Sequence, residues 1–397
     1  MRDILISGKQ ATPRPFRAIF VLALGTFAVG TDAYVVAGFL PAMAGSLHVS
    51  EGAAGQSATV FAIAYAVLAP VLATAAARVP RRALLVIALL VLAVANLGSA
   101  LSPSYGWLMA SRVLAAFGAA GFTPNAGAVA ASLVAPAQRA RALAVVVGGL
   151  TAATALGVPL GNLADRLLDW RAALTLVALL CLVCAAGVYA VMPALPGSPH
   201  VPLRDRLAAL RRPGVVAVLP LTVLGLAAGY GLYAYAVPLL HALGAAGASE
   251  MWMLFLYGVG AVAGNLVAGA AADRHGPIRV LAVGYAVLAV TLAVFAWAVE
   301  ARWLPLAGPL MVMWGASTWS QTPAQQLRLI SAAPQETAVV VGLNASALYL
   351  GIALGTALGG LLLPVGVPLA LAAAAGLAVL ALVYLALTRH TGRRGNP

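Results

Sequence analysis

Ten acidic and 23 basic side chains serve the 397 residues of this chain. Only one of each falls deep inside a long apolar stretch. The acid is Asp32, in "FAVGTDAYVVAGFLPAMAG", and the base is Arg112, in "LMASRVLAAFGAAGFTPNAGA". The remaining acids, among them Glu51, Asp165, Glu250, Asp273 and Glu336, fall in tails, loops or segment ends. Placing an ionised group at the centre of a bilayer costs on the order of 2.5–3.5 kcal/mol even on a lenient scale. Burial favours the protonated form of a carboxylic acid, and a nearby arginine favours the ionised form. A carboxylate that can be pushed either way as water enters and leaves is a proton carrier, and the arginine is its modulator. A static structural pair, or a cap on a helix kink, is the competing reading of the same two residues.

Composition says what must position them. The chain is 63% hydrophobic and 8% charged, with a mean hydropathy of +0.99. Soluble domains carry about 25% charged residues. An all-α integral membrane protein follows, because barrel strands would show short alternating segments of about ten residues. Charges, prolines and glycines cut the chain into twelve apolar segments of roughly span length, at 17–40, 53–76, 83–101, 105–133, 142–164, 171–192, 214–240, 250–272, 279–298, 304–327, 338–362 and 367–387. The widest polar gap, Met192–Pro213, predicts a six-helix bundle over 1–192, a cytoplasmic linker over 193–213 and a second six-helix bundle over 214–397. Alternate gaps hold nearly all the cations. Only Arg166, Arg171 and Arg302 lie on the other side. The positive-inside rule then places both termini in the cytoplasm. Asp32 lies fifteen residues past Arg17, about 22 Å along a helix, beyond the midplane.

The same asymmetry accounts for the net charge of +13 without nucleic acid. Cys181 and Cys184 have CxxC spacing, but no His, Asp or second Cys pair accompanies them, so they read as small hydrophobes. The five histidines are scattered over separate loops, which argues against an enzyme or a metal site. No cofactor is expected beyond a proton gradient. No signal peptide is expected at the N-terminus, and no signalling domain at the C-terminus.

The two halves look like copies. "LATAAARVPRRALLV" follows the second span and "VAGAAADRHGPIRVL" the eighth; Arg78 pairs with Arg274 at an offset of 196, and Pro41 with Pro238 at 197. Parallel repeats of this kind rock around a midplane site. Glycines at four-residue spacing mark the fifth span and the eleventh, where they are Gly351, Gly355 and Gly359. Such spacing lets helices approach closely, and its repeat symmetry predicts that this is the seam that rocks. The tenth span, with Trp314, Trp319, Gln321, Gln325 and Gln326, is too polar for lipid and reads as a cavity wall.

These stretches resemble the major facilitator superfamily, in particular its twelve-helix drug:proton antiporters of the bacterial chloramphenicol-exporter and arabinose-efflux-permease kind. "GTDAYVVAGFLPAMAGSL" resembles the first-helix signature GT-x-E-F-V-x-x-G-L-L-P of that group. Gly269 with "ADRHGPIR" resembles the loop signature, which implies gate roles for Asp273, Arg274, Gly276 and Arg279. The fourth-helix motif places its arginine on Arg112, and the fifth-helix antiporter motif, associated with exporters, has Gly157, Pro159 and Gly161 at its core. The sequence departs from the pattern in three places. The first-helix acid is replaced by Ala33, leaving Asp32 about 100° away around the helix. The first repeat's loop has Ala77 for Asp and Pro80 for Gly, keeping Arg78, Arg81 and Arg82. The fourth-helix Gln falls on Ala115.

The resemblance implies the major facilitator fold and a monomeric, proton-coupled exporter in a bacterial plasma membrane, working by alternating access, with a small molecule, protons and the lipid bilayer as its partners. Tyr34, Asn125, Tyr233, Tyr235, Trp314, Gln321, Gln325, Asn344 and Tyr349 are the candidate cavity residues. Aromatic and amide side chains suit a largely uncharged amphipathic ligand such as a phenicol antibiotic. A sugar, a nucleoside or another metabolite, or a proton-independent facilitator, is the alternative.

Overall fold

The computed structural model describes residues 15–135, 138–197 and 202–388. Twelve long helices account for most of them: α1 (Pro15–Val35), α2 (Glu51–Ala75), α3 (Arg81–Ala100), α4 (Tyr105–Ser132), α5 (Arg139–Leu167), α6 (Trp170–Val191), α7 (Pro213–Gly229), α8 (Ala248–His275), α9 (Pro277–Glu300), α10 (Ala307–Ala332), α11 (Thr337–Leu362) and α12 (Val367–Thr388). Their ends follow local chemistry. The Ser50, Ser104 and Asp169 side chains accept hydrogen bonds from backbone N–H groups in the first turns of α2, α4 and α6. α8 ends at Gly276, whose φ of +82° suits glycine, and Pro277 opens α9.

Among the described residues, eleven helical segments are long and apolar enough to cross a membrane. The chain is therefore a multi-pass membrane protein. The exception is α10. It is 26 residues long, but Ser317, Thr318, Ser320, Gln321, Thr322, Gln325 and Gln326 make its middle polar. Ser317, Thr318, Gln321 and Gln325 are buried inside the protein, so the helix is covered by its neighbours where it is least apolar.

Helices pair in the same pattern in both halves. α1 packs on α5 and α6, α3 on α4 and α6, and α2 on α4; six helices later, α7 packs on α11 and α12, α9 on α10 and α12, and α8 on α10. The first and seventh spans also break alike. Beyond α1 comes the short helix Leu40–Ser46, and beyond α7 comes Ala236–Leu243; they contain the paired prolines Pro41 and Pro238. The halves meet through two further pairings related by the same repeat, α2 with α11 and α5 with α8.

The glycine stripes are placed differently from the expectation. A side chain at Gly161 would strike the carbonyl of Val35 on α1, and one at Gly351 the carbonyl of Val223 on α7. The stripes therefore weld α1 to α5 and α7 to α11 inside each half. The faces that join the halves use other close approaches, at Gly258 against Ala155 and Gly52 against Gly360. A weld inside a bundle fits a rigid body, and the contact between bundles has to be the one that parts.

Candidate functional site

The helix ends joined by arginine-poor loops are termed outer, and the others inner. At the centre of the first half, Arg112 on α4 donates from Nη1 to Asp32 Oδ1 on α1 at 2.7 Å, and from Nη2 to the Asp32 carbonyl at 3.3 Å. Both side chains are inaccessible, at 0% exposure for Asp32 and 2% for Arg112. The guanidinium lies 4.8 Å above the Phe61 ring of α2, a cation–π contact. Two polar atoms stay open: Asp32 Oδ2 and Arg112 Nε have no hydrogen-bond partner among the described residues. Ala33, one residue on, is only partly buried.

An aromatic layer lies next to this pair and crosses between the halves. Tyr65 of α2 stacks on Tyr349 of α11 at 3.7 Å between centroids, and Phe61 touches both rings. Tyr34 of α1 packs against Tyr230 at 5.6 Å and against Trp319 of α10 at 6.2 Å. Tyr233 stacks on Tyr257 at 3.6 Å, with Trp314 edge-on to both. Phe61 thus links the charged pair to a wall of rings at the boundary of the two bundles. Among the candidates, Tyr34, Tyr233, Trp314 and Tyr349 lie in this layer, with Trp319 from the expected cavity wall of the tenth span. Phe61, Tyr65, Tyr230 and Tyr257 join it and were not among the expected residues. The only sequence signal was aromatic density, as in "GYGLYAY", which says nothing about which rings converge.

Trp314, within the layer, is wholly buried and donates Nε1–H to the Gly229 carbonyl at 2.7 Å. The remaining candidates divide by place. Gln321 accepts from Tyr285 Oη at 3.0 Å. Gln325 donates to Thr222 Oγ1, and Thr222 donates to Asn344 Oδ1. These amides knit α7, α10 and α11 together within the second half. Asn125 accepts from Arg81 Nη1 at 2.6 Å, tying α3 to α4. Tyr235 donates to the Thr356 carbonyl at 2.8 Å and sits in the outer contact between halves. Pro159 is inside α5, between the close-packed Gly157 and Gly161.

The outer ends are sealed by polar bonds that sequence reasoning missed. Glu250, in the first turn of α8, is 2% exposed. Its Oε1 accepts from Asn162 Nδ2 of α5 at 2.5 Å, and Asn162 also donates to the Gly38 carbonyl at 3.1 Å. Its Oε2 lies 2.7 Å from His241 Nε2 and 3.9 Å from Arg166 Nη2 of the first half. On the opposite flank, Thr59 of α2 and Thr356 of α11 share a 2.7 Å hydroxyl bond, and Gln56 donates to Tyr235 Oη at 3.4 Å. A carboxylate at a span end reads as a solvated acid. Glu250 is buried between His241 of its own half and Asn162 and Arg166 of the other.

The inner ends carry no such seal. Among the described residues, no hydrogen bond or ion pair joins the inner ends of α4 and α5 to those of α10 and α11. Arg206, in the short connecting helix Leu203–Ala208, donates to the Ala73 carbonyl of α2 at 3.1 Å. The loop residues Asp273, Arg274 and Arg279 are exposed, and so is Arg78; Ala77 is buried and Arg82 lies 5.1 Å from the Tyr189 ring. Asp273 and Arg274 make no ion pair among the described residues in this outer-closed form. Closing the inner side would bring the loop to the opposite bundle. An aspartate near a helix N-terminus or a cation is worth about 0.3–2 kcal/mol. Asp273→Asn is therefore expected to raise the inner-open population several-fold, and Ala77→Asp to lower it, as read by labelling of single cysteines in the inner and outer loops of a protein lacking Cys181 and Cys184. Unchanged labelling in both variants would assign inner closure to packing alone.

Comparison with known proteins places this geometry. The family model described as Major Facilitator Superfamily matches residues 22–356 and 219–397. The Escherichia coli K12 inner membrane transport protein YdhP is 32% identical over 380 residues, spanning 94% of this chain and 96% of its own. A chloramphenicol resistance protein of Streptomyces lividans is 38% identical over 281 residues, 68% of this chain and 70% of its own. Among solved structures, a D-xylose-proton symporter superposes with a TM-score of 0.76 at 17% identity, covering 93% of this chain and 97% of its own. A bacterial homologue of the lysosomal transporter Spinster, in an inward-facing and occupied conformation, gives 0.74 at 16% identity, covering 96% and 97%.

Proposed function

The chain belongs to the major facilitator superfamily of membrane transporters, and on that premise we propose that it exports a small, largely uncharged amphipathic molecule in exchange for protons. The observation that carries this reading is the buried Asp32–Arg112 pair, with its vacant carboxylate oxygen, set beside an aromatic layer at the boundary of the halves. Protonation at Asp32 Oδ2 would leave Arg112 as a buried cation without its counter-ion. A buried charge in that state is expensive, so protonation and rearrangement of the α1–α4 contact are coupled. Substrate held against the rings of both halves would change the balance between the outer-closed form and an outer-open one, because only a ligand with different affinity for the two states shifts them.

The rings favour a ligand with an apolar or aromatic body. The amides Gln321, Gln325 and Asn344 are engaged with partners of their own half, which favours a phenicol-like drug over a sugar or nucleoside. The similarity to a chloramphenicol resistance protein supports the same class. In this reading the chain lies in a bacterial plasma membrane with both termini inside, as its arginine asymmetry implies.

A resistance and uptake panel in an efflux-deficient bacterial host tests the proposal. Expression is expected to lower cellular accumulation of at least one phenicol, and a protonophore to abolish that difference. Export that persists with the protonophore would turn the reading to a facilitator. Selective export of sugars or nucleosides would turn it to a metabolite permease.

A further inference from the structure

Away from the pair and the aromatic layer, the second half carries a lateral groove on its membrane face. It runs between α8 and α9 over a floor of α10 and encloses about 570 Å³. Its walls are small or aliphatic, with Gly264, Ala268 and Ala271 on one side and Val283 and Gly284 on the other. The floor hydroxyls make no demand on an occupant: Ser317 donates to the Met313 carbonyl at 2.7 Å and Ser320 to the Ser317 carbonyl at 2.9 Å. The cavity is thus a slot for hydrocarbon. From Gly264 to His275 it follows twelve residues of α8, a rise of about 16 Å along the helix. That is half of the roughly 30 Å hydrocarbon core, the depth of one leaflet. The slot stops near mid-membrane and opens at the inner end of the helices.

The mouth is cationic. His275 and Arg279 line it and are exposed, and Arg274 stands beside them. Asp273 is the one acid on the same turn. Here a slot of one-leaflet depth ends in the Arg279 guanidinium, with Arg274 beside it and the His275 imidazole as a further hydrogen-bonding group, at the level of lipid headgroups, where basic pockets between helices hold anionic lipid. We propose that this groove is a binding site for an anionic phospholipid of the inner leaflet, with one acyl chain lying between α8 and α9 and the phosphate on Arg279 and His275. The inference does not depend on the nature of the exported substrate. It assigns a second ligand site to the C-terminal bundle, next to the loop that carries Asp273.

Binding is read on the purified full chain by native mass spectrometry, with phosphatidylglycerol and phosphatidylcholine of identical acyl chains added in parallel, and with inorganic phosphate as a third arm. Phosphatidylglycerol is expected to bind at least about fivefold more tightly than phosphatidylcholine, from about 1 kcal/mol for each cation near the headgroup. The Arg279→Gln/His275→Gln variant is expected to remove that preference, and Arg279→Lys to keep it. Ala271→Leu, which fills the slot without touching the cations, is expected to weaken phosphatidylglycerol binding with the preference for phosphate unchanged. Equal binding of the two lipids, a preference that survives loss of both side chains, or phosphate competing as well as the lipid would each overturn the proposal. The first two results would mark an ordinary annular crevice, and the third a simple anion site.

Discussion

Arg112→Ala is expected to abolish transport and to destabilise the protein by about 3–5 kcal/mol, the cost of leaving a buried charge without its partner. The stranded group is Asp32, which is fully buried and keeps no other hydrogen bond from a side chain among the described residues. The loss also removes the cation over Phe61. Thermal unfolding of the purified variant and transport by the same preparation give the two readouts. Adding Asp32→Asn to Arg112→Ala is expected to restore most of the stability, because no charge is then left unpaired, and to leave transport lost. That pattern separates a working pair from a merely structural one. If the double variant transports, the pair is scaffold.

The outer seal gives the second large effect. Glu250→Ala removes a carboxylate bonded to Asn162 across the halves and to His241 within its own half, and that faces Arg166. Hydrogen bonds to charged groups contribute about 1.5–3 kcal/mol each, and about 1.4 kcal/mol is tenfold in population. The variant is expected to move the protein from outer-closed toward outer-open by tenfold or more. Spin labels on cysteines at Leu168 and Ala246, exposed residues of the two outer loops on opposite halves, report the change as a longer distance distribution. Asn162→Ala is expected to shift the same distribution in the same direction, and the two effects together are expected to be less than additive because they remove one bond. Wild-type distances in both variants would assign the outer closure to the flank where Gln56 and Thr59 meet Tyr235 and Thr356 instead.

Much of the fold was legible because bilayer thickness imposes one length on every span. The apolar runs predicted twelve spans whose ends fall within about five residues of the long helices, except the seventh, where α7 stops at Gly229 and the rest of the predicted span continues as short helical pieces up to Leu243. The repeat was legible in Arg78 and Arg274 and in Pro41 and Pro238, and the helix pairings follow it. What a helix touches was less legible. The glycine spacing of α11 announced close packing but not its partner, which is α7 of the same half. Polar residues in α10 announced burial but not whether they face a ligand or each other; Gln321 and Gln325 bond to Tyr285 and Thr222. Glu250 was passed over because its sequence neighbours are ordinary for a helix start, and what makes it unusual comes from α5, about 90 residues earlier in the chain. Asp32 and Arg112 were found by their isolation in apolar sequence. Their direct contact, across 80 residues of chain, is a property of the bundle.

The most direct measurement is Asp32→Asn reconstituted in liposomes with an imposed proton gradient, assayed with whichever phenicol the resistance panel identifies. Asparagine keeps the size and the hydrogen-bonding oxygen of a protonated aspartate and cannot carry a proton. The account predicts that the variant binds the drug and exchanges it across the membrane, but does not accumulate it against a gradient, whereas wild type accumulates it when the proton gradient is present and stops when the gradient is collapsed. Uphill transport by Asp32→Asn equal to that of wild type would contradict it.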